Sequence, residues 1–164
     1  MRNGKQVLKI TVIGIGNTLM GDDGVGVAVV QNLLPSISTD ILSSVNFIIG
    51  GTAGMGLLKH FRESDVVIVV DAIDVQAAPG TVFRFAPDEV VGLVHLRSNN
   101  IHGMGVPQLI ANSRLVGANP KIIVFAIQVG DVRPNDGMLT PPVRAAVERV
   151  GELVMEELQG MVYI

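Results

Sequence analysis

The sequence predicts an α/β fold of three layers: a mostly parallel sheet with one antiparallel edge strand, and helices on both faces. Three observations carry this. The apolar runs Ile10 to Ile15, Val66 to Val70 and Ile122 to Ile127 are too continuous for half-exposed strands and suit strands covered on both sides. Helical patterns separate the early runs, and the resulting βαβαβ order calls for parallel crossovers. The strand-like Thr81-Val82-Phe83-Arg84-Phe85 follows the third strand by a link too short for a helical crossover, so it is expected to be antiparallel.

The elements follow in order. After the polar start Arg2-Asn3-Gly4-Lys5, the apolar stretch from Leu8 makes the first strand. A helix is predicted from Gly24 to Leu34, where Pro35 stops it. A second strand near Val45 to Ile49 and a short helix around Met55 to Phe61 lead to the third strand. Pro79-Gly80 then marks a turn before the alternating edge strand, and Pro87 opens a short helical turn. A helical pattern from Val106 to Ser113 precedes the last strand. The final helix is the best marked, with Thr140 placed to cap it and Pro141 suited to its first position. Val143, Val147, Val150, Val154 and Leu158 recur on one of its stripes. No repeat, low-complexity tract or linker interrupts the chain, so residues 1–164 read as one domain.

Composition narrows the function classes. Twelve basic against 15 acidic residues give a net charge of −3, and no basic run offers a surface to nucleic acid or an anionic membrane. No apolar run approaches the roughly 20 residues of a membrane span. The expected location is the cytoplasm. Absence of cysteine excludes a disulfide scaffold, a zinc–cysteine site and a thiol nucleophile together.

The stretch Gly14-Ile15-Gly16-Asn17-Thr18-Leu19-Met20-Gly21-Asp22-Asp23-Gly24-Val25-Gly26 starts like a nucleotide-binding turn and then departs from it. A dinucleotide fingerprint needs a third glycine where Leu19 stands, and a helix mouth free of negative charge. Asp22 and Asp23 there would repel a diphosphate and attract a cation. One of them is explained as a helix cap, and Asp22 is expected to turn toward the helix backbone in that role. The second is not.

Ligands of open α/β sheets bind beyond the carboxyl ends of the parallel strands. There the first strand offers Asn17, Asp22 and Asp23, the second Gly50-Gly51-Thr52-Ala53-Gly54, and the third Asp71. A carboxylate carried to the end of a buried strand is costly without a cation or donor; the structural alternative for Asp71 is a loop cap bonded to nearby amides. Asp74 reads as a solvated turn residue. Of the three histidines, His60 lies beside Lys59 and Arg62 at a helix end, and His95 sits in an apolar segment. His102 stands in the polar, glycine-bearing loop from Ser98 to Gly105 and is the best placed for chemistry. Asp23, Asp71 and His102 would make an oxygen, oxygen, nitrogen donor set, which suits nickel, zinc or manganese.

These motifs, taken in order, resemble the [NiFe]-hydrogenase maturation endopeptidases nearly end to end. The resemblance rests on Gly14-x-Gly16-Asn17-x-Leu19-x-x-Asp22-Asp23-x-x-Gly26, on Gly50-Gly51-Thr52-Ala53-Gly54-Met55, and on Asp71-Ala72-Ile73 followed by Ala78-Pro79-Gly80-Thr81. His102-x-x-Gly105 and Leu139-Thr140-Pro141-x-Val143 also fit. It implies a twisted sheet of about five strands, mostly parallel, between helices. It further implies that Asp23, Asp71 and His102 bind metal. The chain departs from the pattern at Ile49, where many members carry an acid, and so lacks that group's contribution to substrate recognition.

The implied function is removal of the C-terminal extension of a nickel-loaded large-subunit precursor, by one cut after a basic residue that follows the last nickel-binding cysteine motif. Nickel is expected to arrive with the precursor; zinc or cadmium could replace it in crystals. Either Asp23 or Asp71 would position or deprotonate the attacking water, and Asn17, Gly50, Gly51 and Thr52 would line the cleft. A His-Glu-x-x-His helix and a nucleophile-elbow serine are both missing from the sequence. The competing reading is a nickel-sensing chaperone or binding protein that recognises the same ion without cutting. A nucleotide-binding module is opposed by Leu19 and the paired acids.

Overall fold

Strand β1 (Ile10–Ile15) is an inner strand of one sheet that also holds β2 (Val45–Gly51), β3 (Val66–Ile73), β4 (Val82–Phe85) and β5 (Lys121–Gln128). The strand order is β2-β1-β3-β5-β4 in this computed structural model, which describes residues 8–93 and 105–162. The pairs β1–β2, β1–β3 and β3–β5 are parallel, and β4 runs antiparallel to its neighbour β5, as the short link before it requires.

The apolar runs are continuous because both faces of the sheet are covered. In β3, Val66, Ile68 and Val70 enter one core while Val67 and Val69 enter the other; in β5, Ile123, Phe125 and Ile127 are divided from Ile122 and Val124 in the same way. The first core is closed by α1 (Val25–Leu33), α2 (Thr39–Ser44) and α6 (Pro141–Val162), and the stripe Val143, Val147, Val150, Val154 and Leu158 packs there. The second is closed by α3 (Leu58–Glu63), α4 (Pro87–Leu93) and α5 (Val106–Leu115), with Phe61, Leu109 and Ile110 fully buried. Burying each such side chain contributes roughly 1.5–3 kcal/mol.

Three local expectations change. Helix α2 has no counterpart among the elements expected from sequence, because Ile41 is its one buried residue and so short a segment shows no helical period. Pro35 does not end the helical path at once: α1 stops at Leu33 and a 3-10 turn, Leu34–Ser36, carries the chain through Pro35. Strand β3 continues past Asp71 to Ile73, so Asp71 lies inside a strand rather than at its end.

This last change positions the site. Pairing between β1 and β3 ends at Gly14 and Val70, whereas β3 stays paired to β5 through Ile73. Asp71 is the first residue of β3 beyond the point where β1 leaves it. The strand order runs outward from β1 in both directions, so the carboxyl ends of β1 and β3 form the topological switch point where open α/β sheets place their ligands.

Candidate functional site

The turn after β1 is built on backbone contact. Gly16 has φ +135°, and a Cβ there would overlap the carbonyl oxygen of Asp23. A Cβ on Gly26 would overlap the carbonyl oxygens of Val70 and Ile15. The close helix-to-strand approach that a nucleotide fingerprint assigns to a third glycine is therefore supplied by Gly26, while Leu19 is 66% exposed. A glycine at position 19 is dispensable here.

Asp23 and Asp71 are brought together at the switch point. Asp23 is half-buried, and its Oδ2 accepts the Asn17 N–H at 2.9 Å; Asn17 in turn accepts the Leu19 N–H at 3.0 Å through its Oδ1. Asp71 Oδ1 accepts the Ala72 N–H at 2.8 Å. Burial pushes the Asp71 carboxyl up to about 7 against the opposing effect of that amide, and the nearby charge of Asp23 raises it further. No described residue donates a hydrogen bond to the other oxygen of either acid. Each carboxylate is thus oriented by one oxygen and presents the second. Two oriented hard oxygens fit a divalent first-row cation. No group of three potential ligands occurs among the described residues, and His102, the expected third, lies outside them, as does His95.

Asp22 does something other than capping α1, whose N-terminus has no side-chain cap. The residue is 0% exposed, and its donors come from the far end of the chain. Oδ2 accepts the amides of Gly130 and Asp131 at 2.8 and 3.0 Å and the Thr140 hydroxyl at 2.8 Å; Oδ1 accepts the Thr140 amide at 2.7 Å. Thr140, expected as the cap of α6, gives its hydroxyl to Asp22 instead.

Gln128 anchors the other loop, and no sequence motif singled it out. Buried at the end of β5, its Oε1 accepts the Val75 and Ala77 amides at 2.8 and 3.3 Å. Its Nε2 donates to Asp74 Oδ1 and the Val129 carbonyl at 3.0 and 2.9 Å. A single amide closing the apolar run Ile122 to Ile127 is the signal that could have found it. Asp74 is exposed, yet it is this amide's partner rather than a merely solvated residue. His60 sits in the last turn of α3, half-buried, and burial followed by the Lys59 charge lowers its pKa.

Of the remaining cleft candidates, Gly51 is tied to the turn after β1. The Gly16 amide donates to the Gly51 carbonyl at 3.0 Å, which joins the loop of Asn17 to the end of β2. Gly50 is buried and Thr52 is exposed. Gly51 has φ +52°, and a Cβ there would meet nothing closer than the Gly16 carbonyl oxygen at 4.0 Å. Gly51→Val is therefore expected to cost backbone strain of roughly 1–2 kcal/mol without overlap. Thermal melting should show a folded protein, while processing of a precursor should fall by more than that loss explains; equal losses would assign Gly51 to structure alone.

Comparison with known proteins decides the family. The hydrogenase maturation protease family model matches residues 27–157. The chain belongs to that family. It is 33% identical over 161 residues to the hydrogenase 2 maturation protease of Escherichia coli, covering 93% of this chain and 92% of that protein. It is also 34% identical over 145 residues to the hydrogenase expression/formation protein HupD of Bradyrhizobium diazoefficiens, covering 88% and 74%. Among solved structures, the hydrogenase maturating endopeptidase HybD from E. coli aligns with a TM-score of 0.80 at 30% identity over 93% of both chains. HybD from Thermococcus kodakarensis, at 21% identity and a TM-score of 0.72, shares the fold. This maturation protease is thus a hydrolase, an endopeptidase of hydrogenase maturation.

Proposed function

We propose that this maturation protease removes the C-terminal extension of a nickel-loaded [NiFe]-hydrogenase large-subunit precursor, and that nickel is brought by the precursor. The observation that supports this reading is the pair Asp23 and Asp71 at the switch point, each held by one backbone amide and each with a second oxygen to offer. Asp23, Asp71 and His102 would hold the ion, which when bound supplies charge to polarise a carbonyl or acidify water. Two or three protein ligands leave positions for the precursor, so docking would test whether the metal has been inserted.

The chain's own groups then have defined tasks. The joined rims at Gly16 and Gly51 give the extended substrate backbone a place to approach beside Asn17 and Thr52. One of the two acids accepts the proton of the attacking water, and the second holds the geometry. Among the described residues no helix is long and apolar enough to cross a membrane. The proposed reaction takes place in the cytoplasm.

The test uses the precursor with and without nickel. Nickel-loaded precursor is expected to be shortened, and nickel-free precursor to remain intact. His102→Ala should lower the rate at least about 100-fold, the scale for loss of an interaction made at the reacting centre. Tight binding with no shortened product would favour the binding-protein reading. Equal cutting of both precursors would sink metal-dependent docking while leaving the peptidase.

A further inference from the structure

We infer that Asp22 is a positioning residue, a buried anchor that fastens the loop between β5 and α6 to the turn after β1 and thereby holds the Asp23 carboxylate in place. The inference rests on the proposed role of Asp23 and extends it. Asp22 accepts four hydrogen bonds, three from backbone amides and one from a hydroxyl, all from residues 130–140. Its own amide adds a fifth link to the Asp131 carbonyl at 2.8 Å, and the Asn135 amide donates to the Leu19 carbonyl at 3.0 Å. The chain around the anchor is fitted to it. Gly21 has φ +53° and a Cβ there would meet the Asp131 carbonyl oxygen at 2.5 Å, while one on Gly130 would meet Asp22 Oδ2 at 3.3 Å.

The choice of residue is chemically narrow. A carboxylate has acceptor sites for all four donors and donates nothing, whereas the amide of asparagine must aim N–H groups at donors on one of its two sides. A buried acid without a cationic partner is costly, and Asp22 does not cap α1, whose N-terminus carries no side-chain cap. What it secures lies one residue on. Asp23 reaches its place through the short turn Gly21–Gly24, its amide donating to Met20 O at 3.1 Å and its Oδ2 accepting the Asn17 amide. If the Asp22 anchor is released, the turn loses its outer support and the Asp23–Asn17 hydrogen bond becomes intermittent.

Two measurements on Asp22→Asn test this. In native-state hydrogen exchange of the metal-free protein, Asn17 amide protection is expected to fall at least about 10-fold while the Val12 and Ile13 amides of β1 change less than about twofold. With precursor as substrate, kcat is expected to fall at least about 10-fold with KM within about threefold, the signature of a displaced group rather than a lost docking contact. Unchanged Asn17 protection, or an unchanged kcat in the folded variant, would overturn the inference. Should Asp22→Asn fail to fold, Thr140→Val removes only the hydroxyl donor; a drop in Asn17 protection of at least about threefold supports the anchor, and none overturns it. The exchange arm needs no substrate. A failure of the unaltered protein to cut any precursor would therefore count against the proposed reaction and leave the anchor to be judged on exchange alone.

Discussion

Asp71→Asn is expected to make the metal-free protein more stable at pH 8 and to abolish precursor processing. The folded carboxyl has a pKa raised from 3.8 to about 7, so between those values the folded state holds a proton that the unfolded chain has released. Stability then falls as pH rises through this window, and the full cost is present above about pH 7. At 1.36 kcal/mol per pKa unit that cost is at most about 4 kcal/mol. Asparagine keeps an oxygen for the Ala72 amide and carries no charge to desolvate. The gain should therefore be seen in thermal melts at pH 8, by roughly 2–4 °C per kcal/mol, and should shrink toward zero near pH 4. Processing should fall at least about 100-fold, since the oxygen proposed to meet metal or water is replaced. A variant no more stable than the parent at pH 8 would show that Asp71 is not strained by its burial. Retained processing would remove it from the chemistry.

Gly26→Val is expected to damage the scaffold of the site severely. Its Cβ would overlap two carbonyl oxygens, those of Ile15 and Val70, and would meet the Val70 carbonyl carbon at 2.9 Å. All of these are backbone, and none can rotate away. Helix α1 would have to lift from the sheet, although it is held from behind by α6, where Leu33 lies 3.1 Å from the Cβ position of Gly151. The cost should exceed about 3 kcal/mol, a large part of the 5–15 kcal/mol typical of a folded domain. Gly160→Ala is the control. That glycine lies in α6 with open space around its Cβ position, so alanine should stabilise by about 0.5 kcal/mol through helix propensity. Urea unfolding of both variants checks the contrast; a loss below about 1 kcal/mol for Gly26→Val would show that α1 is not clamped as described.

The strands and the parallel order were legible because they rest on local signals that burial reinforces. A run such as Val66 to Val70 is apolar on both faces, and only a strand covered by two layers of helix uses all of it. The stripe in α6 is legible for the same reason, with its period written in the valines. The first loop was half legible. Two adjacent aspartates marked a place where charge is tolerated, and their chemistry, cation attraction against helix capping, followed from residue type.

What divides the two acids is set by tertiary structure alone. Asp22 and Asp23 are neighbours of identical chemistry, yet one turns toward residues 130–140 and the other accepts from Asn17, near enough to Asp71 for its charge to be felt there. Partners of Asp22 are more than a hundred residues away in sequence, beyond the reach of any local pattern. The same holds for Gly26, whose need for hydrogen in place of a side chain comes from the carbonyls of Val70 in β3 and Ile15 in β1, and for Gln128, whose amide matches a loop that precedes it by some fifty residues. Sequence by itself determined which segments are apolar enough to form the layers and which polar residues stand at their ends. Only the folded chain decided which of those polar groups face one another, because hydrogen-bond partnership depends on a few ångströms of approach between segments that the topology, rather than the spacing, brings together.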